Sequence, residues 1–167
     1  EFTLVGEGDP PSDSWGFLSG GWKENPSNGH WYARSGGPQG GKIDWSIQKD
    51  RAEVMGAYLA TIRSKEENDW IMNNFPVNAW WIGFNDIAQE GTWVWHSGEP
   101  VTYTNWNSGE PNNSGDCGQL YSTGKWDDTS NGYNKYALFE WIHRNKIKGY
   151  NITDIDLSAS LPGYVTT

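Results

Sequence analysis

The sequence predicts an α+β fold, because helical signals are confined to one stretch while strand and loop signals lie on both sides of it. Ser64 followed three residues later by Glu67 is a capping-box pattern, which predicts a helix from Lys65 to about Asn73. Ile43, Ile47 and Val54 fall near one face of a helical period, which predicts a helix from Ile43 to about Met55, closed by Gly56. The third observation is a long loop zone from Asp86 to about Trp126 that carries much of the polar chemistry, as loops on a rigid scaffold often do.

In chain order, residues 1–28 are rich in Gly, Pro, Ser and Asp with scattered aromatics, and predict loops with one strand. His30 to Ala33 reads as a strand and the glycine-rich stretch Ser35 to Gly41 as a turn. The two helices follow, then short strands after Trp81, the loop zone, and a last strand from Tyr136 to Trp141. The expected organisation is an N-terminal extension over 1–28, a domain over 29–143, and a C-terminal extension or linker over 144–167. The chain starts at Glu1 without Met, which reads as an excised module or mature fragment of a larger protein.

Composition narrows the function classes. At 167 residues the chain is long enough to bury a core, and 12 Trp, 8 Tyr and 5 Phe against 2 Met make that core aromatic. A net charge of −9 with no basic run argues against a nucleic-acid partner, whose phosphates need Lys and Arg. It also disfavours an anionic membrane surface, and no apolar run approaches the roughly twenty residues of a membrane span. Crowded acids repel unless a cation sits among them, so part of the excess fits a calcium protein; simple solubility explains it equally well. With one cysteine, Cys117, no intrachain disulfide can form, and the thiol reads as a small buried hydrophobe. The histidines His30, His96 and His143 are too scattered to suggest zinc.

The chemistry concentrates in Glu110-Pro111-Asn112, Asp116-Cys117 and Trp126-Asp127-Asp128. These side chains offer oxygen and no imidazole or thiolate cluster, which suits calcium over softer metals. Pro111 restricts both flanking residues. A cis bond before it would let Glu110 and Asn112 point to one side together. Each could give one oxygen to an ion and turn its other group to a ligand, the carboxylate accepting a hydrogen bond and the carboxamide nitrogen donating one. Two adjacent sugar hydroxyls match that pattern. The plain alternative is a polar turn, since Pro and Asn are common there.

Trp81-Ile82-Gly83, Trp93-Val94-Trp95, Asn105-Trp106, Glu110-Pro111-Asn112, Trp126-Asp127-Asp128 and Phe139-Glu140-Trp141 stand in the order seen in C-type lectin-like domains. The run Ala57 to Ile62 with Ser64 and Glu67 also resembles that family, and the likeness covers roughly Gly29 to Trp141. The resemblance implies a C-type lectin-like fold, with two helices packed on small antiparallel sheets. The Glu-Pro-Asn form resembles the version that selects mannose-type sugars, including fucose, glucose and N-acetylglucosamine; the galactose-type version carries Gln-Pro-Asp. Carried over by position, it implies Ca2+ held by Glu110, Asn112, Asp127 and Asp128, with the Asp128 carbonyl added.

The sequence departs from the family's pattern in several places. Asp127 stands where the family usually has Asn, so an amide donor is lost. Gly115 stands where members often place a Glu, which leaves Asp116 as the fifth ligand. A second calcium set would be Asp86, Glu90, Asn113 and Asp116; the plain alternative is that Asp86 and Glu90 are solvated loop acids. Animal members usually bridge the cysteine at Cys117 to one near Glu140, where Phe139 stands, and Met55 lies near a missing partner of the other pair. A chain without these bridges resembles a microbial member more than an animal one.

Trp95, His96 and Trp106 are candidates to meet a sugar face, with packing the plainer role for the two tryptophans. Other patterns fail on their spacing. Asp127 to Gly132 and Asp154 to Asp156 start like calcium helix-loop-helix loops, but Leu138 and Ala159 stand where Glu and Gly are needed. Gly36 to Lys42 resembles a phosphate loop, yet Ile43 replaces its hydroxyl. Asn112-Asn113-Ser114 and Asn151-Ile152-Thr153 match the glycosylation triplet.

The expected function is a calcium-dependent carbohydrate-binding module acting in adhesion, extracellular or at a cell surface. Its partner would be a cell-surface glycan or polysaccharide, and it would not be an enzyme. A protein- or ice-binding module on the same fold is the alternative. A glycosidase using Glu110 and Asp127 is disfavoured, because an ion held by both carboxylates opposes acid catalysis.

Overall fold

A computed structural model describes residues 9–142 of the chain. His143, the expected extension over 144–167, the Asn151 triplet and the Asp154 to Asp156 pattern lie outside the described residues.

Eight short strands and two helices run in the order β1 (Lys23–Asn25), β2 (His30–Arg34), α1 (Trp45–Val54), β3 (Tyr58–Leu59), α2 (Lys65–Asn74), β4 (Trp80–Asn85), β5 (Val94–Trp95), β6 (Cys117–Leu120), β7 (Trp126–Thr129) and β8 (Leu138–Trp141). They form two antiparallel sheets, ordered β1-β2-β8-β3 and β5-β4-β6-β7, which gives the α+β class. Among the described residues no helix is long and apolar enough to cross a membrane.

The first helix starts later than its apolar period suggests. Ile43 makes a two-way backbone bridge with Lys135, and Asp44 caps the helix by accepting from Ile47 N at 2.8 Å. Its inward face is Trp45, Gln48 and Ala52, while Ile47 and Val54 are 40% and 53% exposed. The helix docks through hydrogen bonds that hydrophobicity does not register: Trp45 Nε1 donates to Ile82 O at 2.8 Å and Gln48 Nε2 to Lys135 O at 2.9 Å. Gly56, at φ 72°, closes the helix as expected.

Ser64 caps α2 by accepting from Glu67 N at 3.1 Å. Glu67 does not return the bond to the capping residue itself; its Oε2 accepts from Arg63 N at 2.7 Å. Burial explains the difference, for Glu67 is 4% exposed and joins an internal network with Arg63, Tyr32 and Glu140. Glu140, fully buried in β8, accepts from Thr61 N at 2.8 Å and contacts Arg63 Nη1 at 2.8 Å and His30 Nδ1 at 2.6 Å. Burial would lower the Arg63 pKa, but the neighbouring carboxylates raise it well above its ordinary value. This network ties α2 and the loop before it to the β2–β8 pair.

The core is aromatic as composition requires. Phe84 stacks on Trp95 with centroids 4.3 Å apart and contacts Trp93, Trp106 and Trp126. Gly83 is obligatory in this packing, since a Cβ there would lie 2.6 Å from Leu59 O. Residues before 29, set apart by the sequence, contribute Leu18 to the second core cluster and β1 to the first sheet. Cys117 is fully buried among Leu59, Ala137 and Phe139, and burial together with nearby acids pushes its thiol up to about 12.

Candidate functional site

Strand β7 presents the acids. Trp126, fully buried, donates from Nε1 to Asn68 Oδ1 at 2.9 Å, which pins the start of the strand to α2. Asp127 and Asp128 follow, paired across the ladder with Gln119 and Gly118 of β6. The loop from Asn107 to Asp116 folds over them, starting from Asn107 N donating to Trp126 O at 2.7 Å.

Asp128 organises that loop. Its Oδ1 accepts from Asn112 N at 2.8 Å and its Oδ2 from Ser114 N at 2.7 Å and Gly115 N at 3.2 Å. Ser114 Oγ also donates to Asp128 O at 2.6 Å. Burial alone would push the Asp128 carboxyl up, but the amide donors together with Glu110 outweigh it and hold the group below its ordinary value.

Glu110 leans over the same spot. The Glu110–Pro111 bond is cis. Asn112 Nδ2 donates to Glu110 Oε1 at 3.1 Å, while Glu110 Oε2 is buried with no partner among the described residues. Carboxylate oxygens of Glu110, Asp127 and Asp128 lie within 4.8 Å of one another. Loss of water and then the adjacent Asp128 and Asp127 push Glu110 up to about 7. A carboxylate with one buried, unpartnered oxygen, set beside two other acids in an all-oxygen group, fits a hard divalent cation such as calcium.

The remaining expected residues are distributed differently. Asp116 does not join the cluster of Glu110, Asp127 and Asp128. Its carbonyl accepts from Asp86 N at 3.1 Å, and its charge falls on Glu90 and Cys117. Asp86 is 2% exposed; its Oδ2 accepts from Gly91 N at 2.8 Å and its Oδ1 has no partner among the described residues. The charge of Asp86, then loss of water, then Asp116 and Asp128 raise the Glu90 pKa. Asp86, Glu90 and Asp116 thus share one neighbourhood without gathering into a metal-holding group among the described residues. Asn113 is exposed at φ 64°.

Gly115 has a steric reason. A Cβ there would lie 2.1 Å from the Thr129 carbonyl carbon, so no Glu fits at that place. Trp95 and Trp106 pack on Phe84, and His96 turns to α1, accepting from Leu59 N at 3.0 Å and pairing with Glu53 at 2.9 Å. None of the three meets the acid cluster in these contacts.

Sequence reasoning missed three contributors: Ser114, which the loop folds against Asp128, and Gln119 and Tyr121, which both donate to Asp127 Oδ2, the latter at 3.0 Å. The available signal was the strand period. Gln119 lies on the strand that pairs with Asp127, and Tyr121 follows two residues on, just past the end of that strand.

The family model described as Lectin C-type domain matches residues 44–138. Lectin BRA-3 of Megabalanus rosa is 48% identical over 124 residues, covering 70% of this chain and 73% of that protein. The chain belongs to the C-type lectin domain family.

This C-type lectin domain is also 37% identical over 91 residues to the Low affinity immunoglobulin epsilon Fc receptor of Mus musculus, a match spanning 53% of the chain and 28% of that receptor. Among solved structures, the mouse Scavenger Receptor C-type Lectin carbohydrate-recognition domain matches with a TM-score of 0.66 at 31% identity, covering 74% of this chain and 94% of that one. The family and its lectin relatives support carbohydrate binding, and C-type lectin domains are binding modules, not enzymes. Both named relatives come from animals, and neither lends support to the microbial origin read from the missing bridges.

Proposed function

We propose that this C-type lectin domain is a calcium-dependent carbohydrate-binding module for sugars with vicinal equatorial hydroxyls of the mannose, fucose, glucose and N-acetylglucosamine type. The observation that carries the reading is the Glu110 carboxylate, one oxygen of which lies within 4.8 Å of Asp127 and Asp128 oxygens, with its Oε2 buried and without a partner among the described residues and its Oε1 met by Asn112. Glu110, Asn112, Asp127 and Asp128 would hold Ca2+, which supplies a Lewis-acidic centre for the diol. Asp116 enters only as a more distant acid. Asp86, Glu90 and Asp116, with Asn113, would form an auxiliary ion site only on drawing closer together, since among the described residues they form no metal-holding group.

The protein's own groups do the recognition. The Asn112 amide nitrogen donates to one hydroxyl and the Glu110 carboxylate accepts from its neighbour. Such a site buries little area and binds weakly, so adhesion would draw on several copies or modules of a larger secreted or surface protein.

A glycan array run with calcium and again with chelator tests the reading. Mannose-type and fucose-type glycans should light up only with calcium and be competed by free mannose but poorly by galactose. A blank array with calcium present overturns it.

A further inference from the structure

Asp127 stands where the family usually has Asn, and its side chain is held by two neighbours. Gln119 lies opposite it in the β6–β7 ladder, and Tyr121 returns to the same face through the turn in which Tyr121 N donates to Lys125 O at 2.9 Å. Gln119 Nε2 and the Tyr121 hydroxyl both donate to Asp127 Oδ2, and Gln119 Nε2 also donates to the Tyr121 oxygen at 3.2 Å. The three side chains close a triangle.

We propose that Gln119 and Tyr121 are positioning residues that hold Asp127 so that its free oxygen faces the ion and the sugar, and that they thereby set calcium affinity and the choice of hydroxyl. The inference rests on the calcium and diol reading above. The Asp127 carboxylate has an oxygen within 4.8 Å of Glu110 and Asp128 oxygens, and with Oδ2 held by two donors we infer that Oδ1 is the one free to serve that space. Gln119 is 4% exposed and its Oε1 has no partner among the described residues. Leaving a buried carbonyl unpaired costs free energy, and turning the amide over would instead set that oxygen against a carboxylate. The amide is therefore held in the orientation that serves Asp127.

The consequence is a directional site. A carboxylate only accepts, so a hydroxyl meeting Asp127 must donate, whereas one meeting Asn112 Nδ2 must accept. An asparagine at 127 would offer a donor at both ends. Partners that orient a ligand in this way typically change metal affinity 10–100-fold when removed.

Tyr121→Phe and Gln119→Met in the full chain test this by calorimetric titration with calcium alone, thermal melting in chelator, and methyl mannoside against methyl galactoside at saturating calcium. Each variant should bind calcium roughly tenfold more weakly. Melting in chelator should stay within a few degrees of the parent, and the mannoside to galactoside ratio should shift. A purely structural role for the triangle would move the melt and leave calcium affinity alone. Unchanged affinity and ratio in Tyr121→Phe, which loses one hydroxyl and keeps the fold, overturn the inference while the parent still binds. A parent that takes up no calcium overturns the reading of the function instead.

Discussion

Asn68 in α2 grips the β6–β7 hairpin at two points: its Oδ1 accepts from Trp126 Nε1 at 2.9 Å and its Nδ2 donates to Gly124 O at 3.1 Å. Asn68 is 2% exposed and Trp126 fully buried, so neither bond has water to replace it. Asn68→Ala should strand the buried Trp126 Nε1 donor, while Gly124 O keeps its bond from Asn105 Nδ2 at 2.6 Å, and cost about 1–2 kcal/mol, seen as a melting temperature lower by several degrees. Displacing the start of β7 should also weaken calcium uptake in the same sample.

Calcium itself should stabilise the fold. At a hundredfold excess over its dissociation constant it should add about 2.7 kcal/mol, raising the melting temperature until chelator reverses it. Glu110→Gln removes the orphaned carboxylate that Asp127 and Asp128 crowd. The variant should melt no lower than the parent in chelator and show no rise with calcium.

Gly115→Ala should damage both loop and site. Its Cβ would sit 2.1 Å from the Thr129 carbonyl carbon and 2.2 Å from Ser130 N, both backbone atoms that cannot turn aside. Relieving that clash means moving the amide that Asp128 Oδ2 accepts at 3.2 Å. A loss of about 1–3 kcal/mol in chemical denaturation and weaker calcium binding are expected together.

Acid should destabilise the chain through His96. Burial holds its imidazole below the ordinary value, with Glu53 opposing, and the Nδ1 acceptor role toward Leu59 requires the neutral ring. The unfolded chain therefore takes up the proton first, and stability present at neutral pH declines as pH falls through about 6.5. The Glu53 pKa is lowered chiefly by its His96 hydrogen bond, so its contribution is lost in the same direction at lower pH. Glu110, pushed up to about 7, acts in the opposite direction in chelator, so the His96 effect is read in a Glu110→Gln background: melting there should fall between pH 7.5 and 5.5, and adding His96→Gln should flatten that slope.

Arg63 is the cation between two buried acids, Glu67 and Glu140, each contacted by its Nη1 at 2.7 and 2.8 Å. Arg63→Ala leaves them uncompensated and should cost about 3–5 kcal/mol in urea unfolding.

Much of this architecture was legible. Ser64 and Glu67 located α2, Gly56 located the end of α1, and the acids that converge at Glu110 lay close together in sequence. The buried face of α1 was not legible, because it is chosen by the Trp45 indole and the Gln48 amide finding carbonyl partners. The separation of Asp116 from the cluster was hidden too. It follows from where Asp128 draws the amides of Asn112, Ser114 and Gly115, which no spacing rule encodes. Gln119 and Tyr121 reach Asp127 across a ladder whose register only the folded hairpin reveals.

Cys117 and Phe139 pack in one apolar cluster, with no second cysteine anywhere in the chain. Thiol reductants should therefore leave the domain intact, and it should mature in a reducing bacterial cytoplasm without oxidative folding machinery, needing only metal on purification.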